Sequence, residues 1–201
     1  HSIRNPLASI RAAAELILTD DQEGAKESAR DIITETDRLT RWTRELLLFS
    51  NHPYQSDKIQ TADLNAMVQR MQDDLQEIAA KHSVKIVYDL QAELPQVRAF
   101  SEPASHVVTS IVANAVEAMP NGGTIVVASR HAQYSDRVQL TIEDTGPGLS
   151  KEMLSKALKP FYSTKSGGTG LGLPLAKQIM SRFGGALMIT NSDSALIVTL
   201  E

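Results

Sequence analysis

The sequence predicts an α+β protein in two parts. A helical hairpin that forms a dimeric four-helix bundle comes first, followed by an α/β sandwich with a mixed sheet and helices on one face. Three observations lead there. The first fifty residues carry apolar positions at coiled-coil spacing. From Asp63 onward, helical periods alternate with short β-type runs. Those runs fall both as adjacent pairs and on either side of helices, which calls for strands of mixed direction.

The elements follow in order. Ile3, Leu7, Ile10, Ala14 and Ile17 recur at spacings of four and three, an apolar seam along a first helix. "TDDQEG" breaks the pattern, and its aspartates suit the cap of a second helix. That helix carries Ile32, Leu39 and Leu46 at spacings of seven, with Trp42 and Phe49 beside them. On its other face Glu35–Arg38, Asp37–Arg41 and Arg41–Glu45 stand three or four residues apart as opposite charges. Two antiparallel helices with one seam each cannot bury both alone. A second copy of the chain completes a bundle, the alternative being packing on the rest of the same chain.

"NHPYQSDK" is polar and bears a proline, as a linker does. The domains expected are therefore a hairpin over 1–52, a linker over 53–60 and a second domain over 61–201. In the latter, Asp63 can cap a helix with Leu64, Met67, Val68, Met71, Leu75 and Ile78 on one face. "VKIVYDL" is a strand, and Pro103 suits the first turn of a helix running to Met119. "TIVVASRHA" and "RVQLTIED" pair around "QYSD". A helix over about 172–183 and strands at "ALMITN" and "ALIVTL" close the chain.

Composition narrows the function. The 201 residues are 42% hydrophobic and 22% charged, as in an ordinary globular protein. A net charge of −4 gives no electrostatic footprint for nucleic acid. With no cysteine, disulfides, thiolate chemistry and cysteine-based zinc sites are excluded. No apolar run approaches the ~18 residues of a membrane span. The chain reads as cytoplasmic and as the inner portion of a longer protein with residues before His1, because a helix's first turn frays when nothing precedes it.

Most of the glycines lie between residues 143 and 185, where bare backbone must serve some purpose. Asp144 follows a strand and enters a turn of Gly146, Pro147 and Gly148, so its carboxylate sits at a fixed strand end, able to accept a hydrogen bond from an exocyclic amine or to close an Asx turn. Gly167, Gly168, Gly170 and Gly172 precede an apolar helix, so backbone N–H groups can face an anion. Lys165 and its neighbouring lysines suit a glycine-hinged lid over a polyphosphate, or an ordinary surface loop. Asn114 lies on a helix, where its amide oxygen can bind a hard cation or bridge neighbours. The glycine spacing is that of neither a Walker loop nor a dinucleotide fold.

Together, "NAVEA" on a helix, "DTGPG" after a strand, "PFYSTK" and "GTGLGL" resemble in order and spacing the N, G1, F and G2 boxes of sensor histidine kinases. The resemblance covers about residues 60 to 201 and implies the Bergerat ATP-binding fold shared with Hsp90, MutL and type II topoisomerases. "HSIRNPLASI" before a hairpin is similar to the phosphoacceptor and dimerisation segment of the same kinases, which Hsp90 and MutL lack. "FYSTKSGGTGLGL" is closest in style to the nitrogen-regulation-like subgroup.

The resemblance implies that His1 accepts the phosphoryl group and that Asn5, one turn on, orients water for dephosphorylating a partner regulator. It implies Asn114 as the Mg²⁺ ligand and Asp144 as the adenine-reading carboxylate. Gly146, Gly148, Gly168, Gly170 and Gly172, with Thr169 and Leu171 in the same box, would let backbone approach ATP, and Lys165 would lie near its phosphates. Pro6 loosens the helix beside His1. Ser2 stands where related kinases carry an acidic base, and a missing general base commonly costs ~10²–10⁴-fold, so autophosphorylation is expected to be slow or served by another group. Ser110 stands one turn before Asn114, where a second asparagine is common. The expected activity is ATP-dependent phosphorylation of His1 with transfer to a response-regulator aspartate, from a homodimer. The alternative is an ATP-binding scaffold acting mainly as a regulator phosphatase.

Overall fold

A computed structural model describes residues 4–18, 23–50, 60–99, 101–132, 136–165, 169–191 and 196–200. They fall in two compact units: one holds the helical hairpin and groups residues 164–169 with it, and the other is an α+β unit. No helix among them is long and apolar enough to cross a membrane.

The hairpin consists of α1 (Arg4–Ile17) and α2 (Glu23–Ser50). Its interior is lined by small residues: Ala14 and Ala29 are buried, and Thr36 is buried with its hydroxyl donating to the Ile32 carbonyl at 2.7 Å. Small side chains let two helices approach closely. Among the described seam residues Leu7 is partly buried, while four larger ones stay outside, with Ile10 at 47%, Ile17 at 41%, Ile32 at 39% and Leu39 at 39% exposure. Two heptad-spaced stripes left in water mark a surface that a further pair of helices would cover. The side chains of Glu35, Arg38, Arg41 and Glu45, on which the expected pairs along α2 depend, lie outside the described residues. Asp37 accepts from the Arg11 guanidinium at 2.6 Å, across the hairpin, and Arg11 also binds Glu15, one turn along α1, at 2.9 Å. The long arginine reaches both carboxylates because the alanine-lined interface brings the helices together.

The second unit begins with β1 (Gln60–Ala62), α3 (Leu64–Arg70) and α4 (Gln72–Ala80). The single helix expected over this stretch is divided at Met71, although Leu64, Met67, Val68, Met71 and Leu75 are buried on one side as the spacing required. Asp63 caps α3, its carboxylate accepting the Ala66 N–H at 3.0 Å. Asp63→Ala is expected to lower stability by about 1 kcal/mol in urea unfolding, the usual worth of such a cap. Next come β2 (Val84–Leu90), β3 (Val97–Ala99), which pairs antiparallel with β1, and α5 (Ser101–Ala118). The remainder is β4 (Gly123–His131), β5 (Val138–Asp144), α6 (Lys151–Lys156), α7 (Gly172–Arg182), β6 (Leu187–Asn191) and β7 (Leu196–Leu200).

The large sheet has the order β2-β4-β5-β7-β6. β2 and β4 are parallel, which needs a crossover, and α5 supplies it; the other neighbours are antiparallel. Burial alternates strictly along β5, where Val138, Leu140, Ile142 and Asp144 are buried. Ile125, Val127 and Ser129 on β4 share that face by register. Helices α4, α5 and α7 contact the sheet or one another there. α5 is central: Val107, Val108, Ile111, Val112, Ala115 and Val116 are all buried, as is Met119 just beyond its end, because the helix touches both α4 and α7 as well as β5. The opposite face is more open, with Val87 and Met188 exposed.

Candidate functional site

The buried row of β5 ends in a carboxylate. Asp144 is 3% exposed, opposite Ile125 on one side and Leu196 on the other. An acid in an apolar row has a steep desolvation cost unless something holds it. Here its Oδ1 accepts the Gly146 N–H at 2.9 Å, closing the turn the sequence suggested. Gly146 must be bare: a Cβ there would lie 2.7 Å from that same oxygen and 3.4 Å from Met119 Cγ. Gly148 takes φ +65°, the left-handed region that favours glycine.

Thr145 ties this turn to its surroundings, a role the sequence did not announce. Its hydroxyl accepts the Thr124 N–H at 3.0 Å and donates to Met119 Sδ at 3.6 Å, while its backbone N–H donates to the Thr124 carbonyl at 3.1 Å. The end of α5, the start of β4 and the turn after β5 are thereby joined behind the Asp144 carboxylate.

The second cluster joins residues far apart in the chain. A Cβ on Gly172, the first residue of α7, would lie 2.9 Å from Ser110 Oγ and 3.6 Å from Asn114 Nδ2. Ser110 and Asn114 are one turn apart on α5 and only partly buried. Gly172 is therefore bare because α5 presses its polar side chains against it. Leu171 is the N-cap residue of α7, and its apolar side chain makes no cap hydrogen bond to the first N–H groups of that helix. Uncapped helix N-termini receive anions readily.

In sequence, α6 and the stretch leading to α7 lie between the two clusters. Ser150 caps α6 by accepting the Met153 N–H at 3.2 Å. This short helix was not foreseen. Phe161 and Gly170 both have left-handed backbones, at φ +64° and +63°, and the Phe161 N–H donates to the Gly170 carbonyl at 3.0 Å. Phe161 is 69% exposed, so a bulky aromatic side chain is held in a strained conformation in water. Lys156 stands 5.9 Å from the centroid of the Tyr162 ring and 2.6 Å from Glu152.

Of the residues singled out by sequence, the α+β unit brings together Asn114 and Gly172, and separately Asp144, Gly146 and Gly148. Leu171 is buried, Gly170 and Thr169 are partly buried, and Lys165 is exposed. Asn5 is the second described residue of α1, with Pro6 in the same turn. His1, Ser2 and Gly168 lie outside the described residues, as do the capping aspartates of "TDDQEG" and the linker stretch 51–58.

Comparison with known proteins completes the picture. Residues 1–54 match the family "His Kinase A (phospho-acceptor) domain", and residues 101–200 match "Histidine kinase-, DNA gyrase B-, and HSP90-like ATPase". The sensor histidine kinase ZraS of Salmonella typhimurium is 29% identical over 195 residues, covering 96% of this chain and 41% of ZraS. The chain therefore spans about two fifths of the length of that relative. The crystal structure of full-length ShkA in complex with AMPPNP superposes with a TM-score of 0.80 over 100% of this chain and 43% of ShkA, at 19% identity. That of histidine kinase ThkA in complex with the response regulator protein TrrA gives 0.71 over 100% of this chain and 58% of the other, at 24% identity. These two likenesses establish the fold.

Proposed function

We propose, since the chain belongs to the sensor histidine kinases of two-component systems, that it transfers the γ-phosphoryl group of ATP to His1 and from there to an aspartate of a response regulator. In this reading residues 1–52 form the dimerising phosphoacceptor hairpin and residues 61–201 the ATP-binding domain, working on the cytoplasmic side where ATP is available. The exposed stripe of Ile10, Ile17, Ile32 and Leu39 supports a homodimer closed through the hairpin.

The observation that supports the reading most is the meeting of Asn114 on α5 with Gly172 at the start of α7. It sets a neutral amide beside an uncapped helix N-terminus, the two kinds of group a metal-bound triphosphate needs. The fit to Mg²⁺ is chemical: an amide oxygen is a hard donor, and one or two protein ligands suffice because phosphates and water supply the rest. Bound there, Mg²⁺ would neutralise charge on the phosphate oxygens. The Asp144 carboxylate accepts the adenine amine and so fixes the base, while backbone N–H groups at the start of α7 receive the phosphates. By the family resemblance, Lys165 would lie near the phosphates and add a positive charge.

At the acceptor, an unprotonated imidazole nitrogen of His1 attacks the γ-phosphorus in line, and the bond to the bridging oxygen of ADP breaks. The unperturbed imidazole pKa of ~6.5 leaves much of it neutral at physiological pH, so it is nucleophilic without strong activation. The other ring proton must then leave to solvent or a neighbouring base, and Ser2 is a poor one. Residues four apart on a helix share a face, so in this reading Asn5, four residues beyond His1, would orient a water for regulator dephosphorylation.

The test uses γ-labelled ATP with Mg²⁺. The protein is expected to acquire acid-labile, alkali-stable label and to pass it to a receiver-domain aspartate. Steady ATP hydrolysis with no phosphoprotein would overturn the kinase reading. ATP binding without label, together with regulator dephosphorylation that needs Asn5, would favour the phosphatase scaffold instead.

A further inference from the structure

The turn that follows Asp144 is held at both ends. At its start, the Asp144 carboxylate accepts the Gly146 N–H. At its end, the Asn191 side chain grips the backbone of Leu149 twice. The amide Nδ2 donates to the Leu149 carbonyl at 2.5 Å, and Oδ1 accepts the Leu149 N–H at 3.2 Å. A primary amide has one donor side and one acceptor side, so it can complete both groups of one peptide residue as a neighbouring strand would.

The position of Asn191 allows this. It is the last residue of β6, and the register sets it opposite Leu196 of β7. Leu196 in turn stands opposite Asp144 on its other side. Asn191 therefore occupies the same row across the sheet as the carboxylate, two strands away, and its side chain reaches the loop that leaves β5. It also closes against Gly148, where a Cβ would lie 3.2 Å from Asn191 Oδ1. Residues 145–148 are thus a short span between two anchors, with Thr145 bonded to Thr124 and Met119 beneath.

We propose that Asn191 is a positioning residue for base recognition: its amide latches Leu149, holds the Gly146 N–H in place, and so fixes the Asp144 carboxylate in the one orientation that reads adenine. This rests on the ATP-binding reading above. With the latch gone, Asp144 stays in the sheet but its bond to Gly146 loses its support, and the carboxylate samples orientations that miss the adenine amine. Phosphate and ribose contacts made elsewhere are unaffected, so the loss falls on base selectivity.

The experiment measures binding of ATP and of inosine triphosphate, which carries a carbonyl oxygen where adenine has its amine, to the wild-type protein, Asn191→Ala and Asn191→Asp. Asn191→Asp keeps the size of the side chain but sets an acceptor against the Leu149 carbonyl, so it tests the latch even if Asn191→Ala fails to fold. Each variant is expected to bind ATP about tenfold more weakly, the consequence of losing roughly one net hydrogen bond's worth of positioning. Inosine triphosphate binding is expected to change little, so the preference for ATP shrinks. Parallel weakening of both nucleotides, or no change in either, would overturn the proposal by assigning Asn191 a purely structural role. A wild-type protein that does not prefer ATP would instead sink the underlying reading of Asp144, and the latch with it.

Discussion

Asp144→Asn is expected to weaken ATP binding about 100-fold or more, with little change in folding. The substitution preserves shape, and the new amide oxygen can still accept the Gly146 N–H that Asp144 Oδ1 accepts at 2.9 Å. What it removes is the second acceptor. An amide NH₂ would then face the adenine amine, donor against donor, in a site where Asp144 is 3% exposed and water has little access. Loss of a charge-assisted hydrogen bond together with a buried unpaired donor amounts to roughly 3 kcal/mol, which corresponds to about two decades in affinity. The same amide is a good partner for the carbonyl of inosine triphosphate, so the order of preference should reverse. Titration calorimetry with both nucleotides checks this, and an unchanged ATP affinity would remove Asp144 from the site.

Gly170→Ala is expected to disturb the segment between α6 and α7 strongly. The residue has φ +63°, and a Cβ would lie 2.6 Å from Phe161 C, Tyr162 N and Tyr162 O. All three are backbone atoms, so no side-chain rotation relieves the collision. The strain of a left-handed alanine and the displaced backbone together amount to about 3 kcal/mol. The Phe161 N–H to Gly170 carbonyl bond must open to accommodate it. Faster hydrogen exchange across residues 161–171 and weaker ATP binding are expected, with exchange in β4 and β5 unchanged. Wild-type protection in that segment would show that position 170 tolerates a side chain.

How much of this was legible in the sequence depends on what each element needed. β2 was readable residue for residue, because its alternation of buried and exposed positions matches the pleat. The division of one expected helix at Met71 was not, since the apolar spacing runs through the break without interruption. β1, β3 and α6 are too short to show a period at all; β1 and β3 exist because they pair with each other, and α6 because Ser150 caps it. Asp144 and the glycines announced themselves through composition and order. Ser110 against Gly172 and Asn191 against Leu149 did not, because contacts between residues distant in sequence follow from sheet register and helix packing. The Arg11–Asp37 pair was hidden for the same reason: the spacing along α2 offered nearer partners, and only the close approach of α1 brought Arg11 into reach.

The central claim is that the ATP site of the α+β unit serves a histidine on the hairpin. It is tested most directly by measuring ATP binding and protein labelling side by side in the wild-type protein and in His1→Gln, with γ-labelled ATP and Mg²⁺. The account predicts that both proteins bind ATP equally and that only the wild type becomes labelled. Undiminished label on His1→Gln would contradict it, because the phosphoryl group would then reside on another residue.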